Sequence, residues 1–312
     1  MIERNCSNIV ISLTVLVLTF LFSPLAFSQE TIDDSQLDEE VVIIPPLFEY
    51  VVAPEDLPDL QSRTDYLMEH FWDPFDFKNN SIVDQNALNH AFGVYVQAMA
   101  FASDNKINES VKKLIDNIKK SPGLTFQFAK AAEENLYGPR AELWGDYIYS
   151  QFIKNLLENK KIKESQKKHF ESQYEIIQRS LIGASFPQIS VKNMEGNEIK
   201  LNSRKKFTLY EFTPPSCENC NYSNLRLDIS APINDLIENE SLEVDIIVLD
   251  DKKPIGNFPS KWNIYYSPEE NKLPDIRIYP CFYVVDNEGK IIGKNMHVDD
   301  AILLIEQVME NK

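Results

Sequence analysis

The stretch FTLYEFTPPSCENC, residues 207–220, decides how the second half of the chain is read. Its first seven residues read as an apolar strand, TPPS as a loop, and Cys217 then opens a helix. The first turn of a helix points unpaired N–H groups at whatever sits there, and the macrodipole favours an anion. A cysteine at that place has its thiolate favoured and becomes a competent nucleophile. Cys220 lies one turn later on the same face, near enough to close a small disulfide ring. In such chemistry Cys217 attacks a disulfide and Cys220 resolves the mixed disulfide by attacking Cys217. A Cys-x-x-Cys pair between a strand and a helix is far more specific than the spacing alone.

Outward from this stretch, the pattern is that of an α/β domain over 183–312. FPQISV and EIKL are short strands joined by the turn Met194-Glu195-Gly196-Asn197. After the cysteines comes a helix carrying Leu225, Leu227 and Ile229, interrupted at Pro232. LEVDIIVLD is a continuous apolar run of the kind found in central parallel strands. An irregular stretch follows, then CFYVVD and KIIG around Asn287-Glu288-Gly289, and a closing helix near Val298–Met309.

Residues 57–182 predict an all-helical domain. Glycine is scarce, and apolar residues recur at three and four positions. Six helices are expected: near Leu60–Trp72, from a capping box at Ser81 and Asp84, over 107–120, from Ser121-Pro122 to about Leu136, over 140–159, and over 162–181. Ahead of them, ten acids and no base between Glu30 and Asp59 predict a solvated acidic linker over 29–56. Residues 1–28 have the layout of a secretory signal peptide: an uncharged apolar run from Ile9 to Phe22, then Ala26-Phe27-Ser28 before a cut. That run is short for a membrane span, so no stable span is expected after cleavage, and the mature chain is expected in the periplasm or outside the cell.

The net charge is −17, and removal of residues 1–28 takes one acid and one base and leaves it there. Such a surface repels nucleic acid and anionic lipid. Of the four cysteines, Cys6 leaves with the signal, and Cys217, Cys220 and Cys281 remain. Three cysteines in an exported chain of this size are too few for a disulfide-stapled scaffold, so they are expected to do chemistry.

These motifs together carry a resemblance. GASFPQISVKNMEGNEIKL, FTLYEFTPPSCENC and RIYPCFYVVDNEGKII are similar, in that order, to the opening hairpin, active-site strand and loop, and cis-proline hairpin of a thioredoxin-like domain of the TlpA/ResA type, the periplasmic thiol-disulfide oxidoreductases. The likeness covers about 130 residues, 183–312. It implies an α/β thioredoxin-like fold, a central sheet flanked by helices, behind the all-helical domain. It implies protein disulfides as substrates, an upstream thiol electron donor, and no cofactor beyond the dithiol. Glu211 stands where thioredoxins place a buried carboxylate beneath the cysteines, with the implied role of general base for Cys220. Pro280 stands where the family has its cis-proline, and Tyr279 before it is implied to lie beside Cys217 and offer backbone groups to a substrate.

The chain departs from that family at several points. Ser216 stands where tryptophan usually precedes the first cysteine, after Pro214-Pro215. Glu218-Asn219 separates the cysteines, and the nearest following base is Arg226. A negative Glu218 disfavours the Cys217 thiolate, which predicts a reductant rather than a strong oxidant.

Rival readings use the same residues. Cys217, Cys220 and Cys281 offer three soft ligands, but His70, His90, His169 and His297 form no ligand-spaced pair, so no metal is expected. A peroxidase would want threonine or serine where Pro214 stands. Cys281 reads as a small buried strand residue, or as a third thiol that relays a disulfide. The helical half, through SRTDYLMEHFWDPFDF and ENLYGPRAELWGDYIYSQFI, resembles an uncharacterised domain found ahead of thioredoxin-like domains in secreted bacterial proteins. A binding or scaffold protein whose redox domain is secondary is therefore the alternative. Its aromatics, Phe71, Trp72, Phe75, Phe77, Trp144, Tyr147 and Tyr149, would pack a core or line a partner groove.

Overall fold

The computed structural model describes residues 45–78, 83–202, 205–254, 258–267 and 273–310. The expected signal peptide with Cys6, the first part of the acidic linker, and Ser81 lie outside the described residues. The first half is helical: α1 (Leu60–His70), α2 (Gln85–Met99), α3 (Asp104–Ile118), α4 (Pro122–Leu136), α5 (Asp146–Glu158) and α6 (Glu164–Gln178). Side-chain caps set the starts of three of them. Asp59 accepts from the Ser62 amide at 2.7 Å, Asp84 from Ala87 at 2.8 Å, and Ser121 from Leu124 ahead of Pro122. Helix α2 therefore begins one residue after Asp84, which is itself the N-cap rather than the far end of a capping box.

These helices enclose one core. Phe71, Trp72, Phe92, Tyr95, Phe128 and Tyr149 are buried in it, while Phe75 and Phe77 pack against its side. Of the aromatics that could line a partner groove, Tyr147 is the exposed one. Part of the acidic segment joins the same core. Leu47, Phe48 and Tyr50 pack on it, with Phe48 edge-on to Phe71 and Trp72 and the Tyr50 hydroxyl 2.9 Å from His90. Within the expected linker, Leu47, Phe48 and Tyr50 thus leave solvent, because burying them outweighs the solvation of Glu49 between them, while Val52 and Pro54–Asp56 stay exposed.

Among the described residues the second half forms a seven-stranded sheet with helices: β1 (Ser190–Asn193), β2 (Glu198–Lys200), β3 (Phe207–Thr213), α7 (Glu218–Asp228), α8 (Ala231–Glu238), β4 (Leu242–Val248), β5 (Asn263–Tyr266), β6 (Cys281–Asp286), β7 (Ile291–Met296) and α9 (Val298–Glu310). The strand order is β2-β1-β5-β4-β3-β6-β7. Strands β3, β4 and β5 run parallel, and β6 returns antiparallel beside β3. Strand β5 lies in the stretch expected to be irregular.

The period of two sorts this sheet into two faces. Phe207, Leu209, Val244, Ile246, Phe282 and Val284 share one apolar cluster with residues of α7, α8 and α9. Tyr210, Phe212, Ile247, Cys281, Tyr283 and Val285 share the other. At the margin of the sheet, the chain arriving from the helical half pairs with β7. The Gly183 amide donates to Ile291 O at 2.8 Å, Ile291 donates to Ala184 O at 2.9 Å, and Phe186 to Gly289 O at 2.8 Å.

Candidate active site

Strand β3 is buried along its whole length between β4 and β6, and it delivers the chain to the loop before the cysteines. Cys217 is the N-cap of α7, in an extended backbone conformation. Its sulfur accepts a hydrogen bond from the Cys220 amide at 3.1 Å, one of the N–H groups that the helix itself leaves unpaired. The two cysteines form a disulfide with an S–S distance of 2.03 Å. Cys217 is half-buried and Cys220 is 4% exposed, so an incoming group meets Cys217 first.

Glu211 occupies the central strand opposite Ile246 on one side and Phe282 on the other. Sharing the face of Leu209, it points into the apolar layer that α7 covers. It is fully buried, and among the described residues neither carboxyl oxygen has a hydrogen-bond partner. Burial without a compensating charge disfavours the carboxylate, and its pKa is pushed up to about 8.

Thr213 ends β3, and its hydroxyl donates to the Cys220 sulfur at 2.8 Å. Sequence reasoning treated it only as the last strand residue; its position seven before Cys220, where a strand meets a helix start, was the available signal. Arg226, the nearest following base, sits in the last turn of α7 and pairs with Asp299 at 2.8 Å.

The Tyr279–Pro280 peptide is cis. Cys281 pairs with Phe212 in register, so Pro280 stands at the end of the sheet where β3 runs into the cysteine loop. Tyr279 is 47% exposed. The open groove of about 1070 Å³ at the cysteines lies elsewhere: Pro215, Ser216 and Cys217 line it, with Lys252, Phe258 and Trp262, and Tyr279 and Pro280 do not. Along α7 an apolar stripe leads from that groove, with Tyr222, Leu225 and Ile229 each more than half exposed. Cys281 is fully buried, and its thiol donates to Asn295 Oδ1 at 3.3 Å. Burial, with Asp275 nearby, raises its pKa far above the ordinary thiol range, which keeps it from being a thiolate. Among the described residues, no group of three or more His, Cys, Asp or Glu is arranged to hold a metal ion, and no helix is long and apolar enough to cross a membrane.

The family described as "Domain of unknown function (DUF5106)" matches residues 26–180, which include all six helices of the first half. A crystal structure of a thioredoxin-like protein from Bacteroides caccae superposes with a TM-score of 0.71 at 20% identity, covering 86% of this chain and 100% of that one. The α/β half therefore has a thioredoxin-like fold, and the whole arrangement of helical half plus sheet recurs in that protein. The thioredoxin domain of a thiol-disulfide oxidoreductase from Bacteroides vulgatus aligns at 18% identity and a TM-score of 0.31, over 41% of this chain and 97% of that one. No curated protein matches the chain in sequence.

Proposed function

We propose that this chain, a helical half matched by DUF5106 followed by a thioredoxin-like fold, is an exported thiol-disulfide oxidoreductase that reduces protein disulfides. The observation that carries the reading is the Cys217–Cys220 pair at the first turn of α7, with an unpaired buried carboxyl, Glu211, in the layer beneath that helix. In the reduced protein, the Cys217 thiolate attacks one sulfur of a substrate disulfide. A Cys217–substrate bond forms, the substrate S–S bond breaks, and one substrate thiolate departs. The Glu211 carboxylate takes the proton of the Cys220 thiol, and the Cys220 thiolate attacks the Cys217 sulfur. The second substrate thiolate leaves, and the Cys217–Cys220 disulfide remains. Two electrons have then passed to the substrate, and an upstream dithiol donor returns two to the protein.

The Cys220 amide that reaches the Cys217 sulfur would stabilise its thiolate in the reduced state. The apolar stripe of Tyr222, Leu225 and Ile229 beside the groove suits a polypeptide substrate better than a small thiol. Pro280 and Tyr279 are assigned to the substrate on the strength of their place at the same end of the sheet. No metal or organic cofactor enters this scheme, and the export assignment rests on residues 1–28.

Reduction of insulin disulfides with dithiothreitol as donor tests the reading. Acceleration well above dithiothreitol alone is expected, and its absence would refute the assignment. The same assay tests Thr213. Thr213→Val removes the hydroxyl from Cys220 while keeping the side-chain shape, and about a three- to tenfold slower turnover is expected, the scale of one lost hydrogen bond.

A further inference from the structure

A cluster of buried charges joins the two halves of the molecule. Asp146, at the start of α5, is fully buried, and its two carboxyl oxygens meet two cations from the sheet domain: Arg277 Nη2 at 2.5 Å, and the Lys294 ammonium. Arg277 also pairs with Asp275, and Lys294 Nζ lies 3.6 Å from the same carboxylate. Two carboxylates thus face two cations largely shielded from water. Burial alone would raise the Asp146 pKa; Lys294 and Arg277 more than reverse that and hold it below the ordinary range.

The helical half adds further contacts. The Arg277 guanidinium lies 4.0 Å from the centre of the Tyr137 ring and 5.2 Å from that of Trp144. Tyr137 donates its hydroxyl to Asp275 at 3.3 Å, and Ser180 Oγ accepts from the Asp275 amide at 3.0 Å. On the sheet side, Asn295 Oδ1 accepts from both the Arg277 amide and the Cys281 thiol. Apart from the Asp146–Lys294 pair, these contacts fall on Asp275, Arg277 or Cys281, which flank Tyr279 and Pro280.

We infer that Asp146 of the helical domain is a positioning residue for the 275–280 loop, so that the helical half helps to present Tyr279 and Pro280 to a polypeptide substrate. The inference rests on the redox reading above. Holding a substrate-contacting loop in place matters because a misplacement near 1 Å can cost about a hundredfold in rate. The helical half is then part of the substrate-handling apparatus rather than a separate module. A small thiol reagent, which needs only the Cys217 sulfur, should be indifferent to it.

The test uses the full-length protein carrying Asp146→Asn. The second-order rate of insulin reduction is expected to fall about tenfold, mainly through KM. Alkylation of Cys217 by iodoacetamide in the reduced protein should stay within about twofold of wild type. Asp146→Glu, which keeps the charge, should recover part of the loss. If Asp146→Asn does not fold, Tyr137→Phe removes only the hydroxyl that reaches Asp275, and about a threefold fall on insulin with unchanged alkylation is expected. A folded variant that reduces insulin at the wild-type rate overturns the inference, as does a loss shared equally by alkylation. If the wild-type protein itself fails to reduce insulin, the redox reading falls first, and this inference with it.

Discussion

Cys220→Ser is expected to leave the protein covalently joined to its substrates. Cys217 can still attack a disulfide in that variant, but no second thiol waits one turn deeper to release it. Bands that collapse on treatment with dithiothreitol should appear on non-reducing gels of cells expressing it. Cys217→Ser should trap far less, since the remaining cysteine is 4% exposed. Insulin reduction should fall in both variants by at least about a thousandfold, the scale on which loss of a nucleophile acts. Cys217→Ser with full cellular function would instead favour a binding or scaffold role for the helical half.

Glu211→Gln should act on both stability and turnover. The Glu211 pKa is pushed up to about 8, against 4.5 for an exposed glutamate, so the folded state holds this proton more tightly than the unfolded one. Below pH 4.5 both states are protonated, and stability is at its highest with respect to this group. Between 4.5 and 8 the unfolded chain releases the proton first, and stability falls with rising pH by roughly 4–5 kcal/mol in all, levelling off above 8. Glutamine removes that slope, so the variant should gain on wild type in denaturant melts at pH 9 but not at pH 4.

For turnover, Glu211 is mostly protonated at pH 7, and release of the mixed disulfide should quicken as the pH rises towards about 8. In Glu211→Gln that rise should vanish, and release should slow by about a hundredfold or more. Wild-type decay of the mixed disulfide in this variant would remove Glu211 from the mechanism.

How much of this was legible depended on whether the signal was local. FTLYEFT and CFYVVD coincide with the full extents of β3 and β6 because an unbroken apolar run between turns leaves few alternatives. The buried position of Glu211 followed from its place in such a run. Strand β5 was hidden because four residues, NIYY, carry too little periodicity, and only pairing with β4 and β1 makes them a strand. Phe48 and Tyr50 were masked by the acids around them. The charge cluster could not be read at all: Asp146 and Lys294 are 148 positions apart, and each alone looks like an ordinary surface residue. Thr213 was in plain view, yet its role depends on a distance that only the folded chain defines.

The way the chain enters the sheet bears on how the protein can be cut. A margin with unpaired amides and carbonyls invites a stray chain to add itself, and here the start of β7, at Ile291, is shielded by the run Gly183–Phe186 while the far margin is a strand of only three residues. A fragment begun after Phe186 would strip that shield from β7 and should clump on concentration. One begun at Leu181 would keep that edge covered but would leave Arg277 and Lys294 without Asp146.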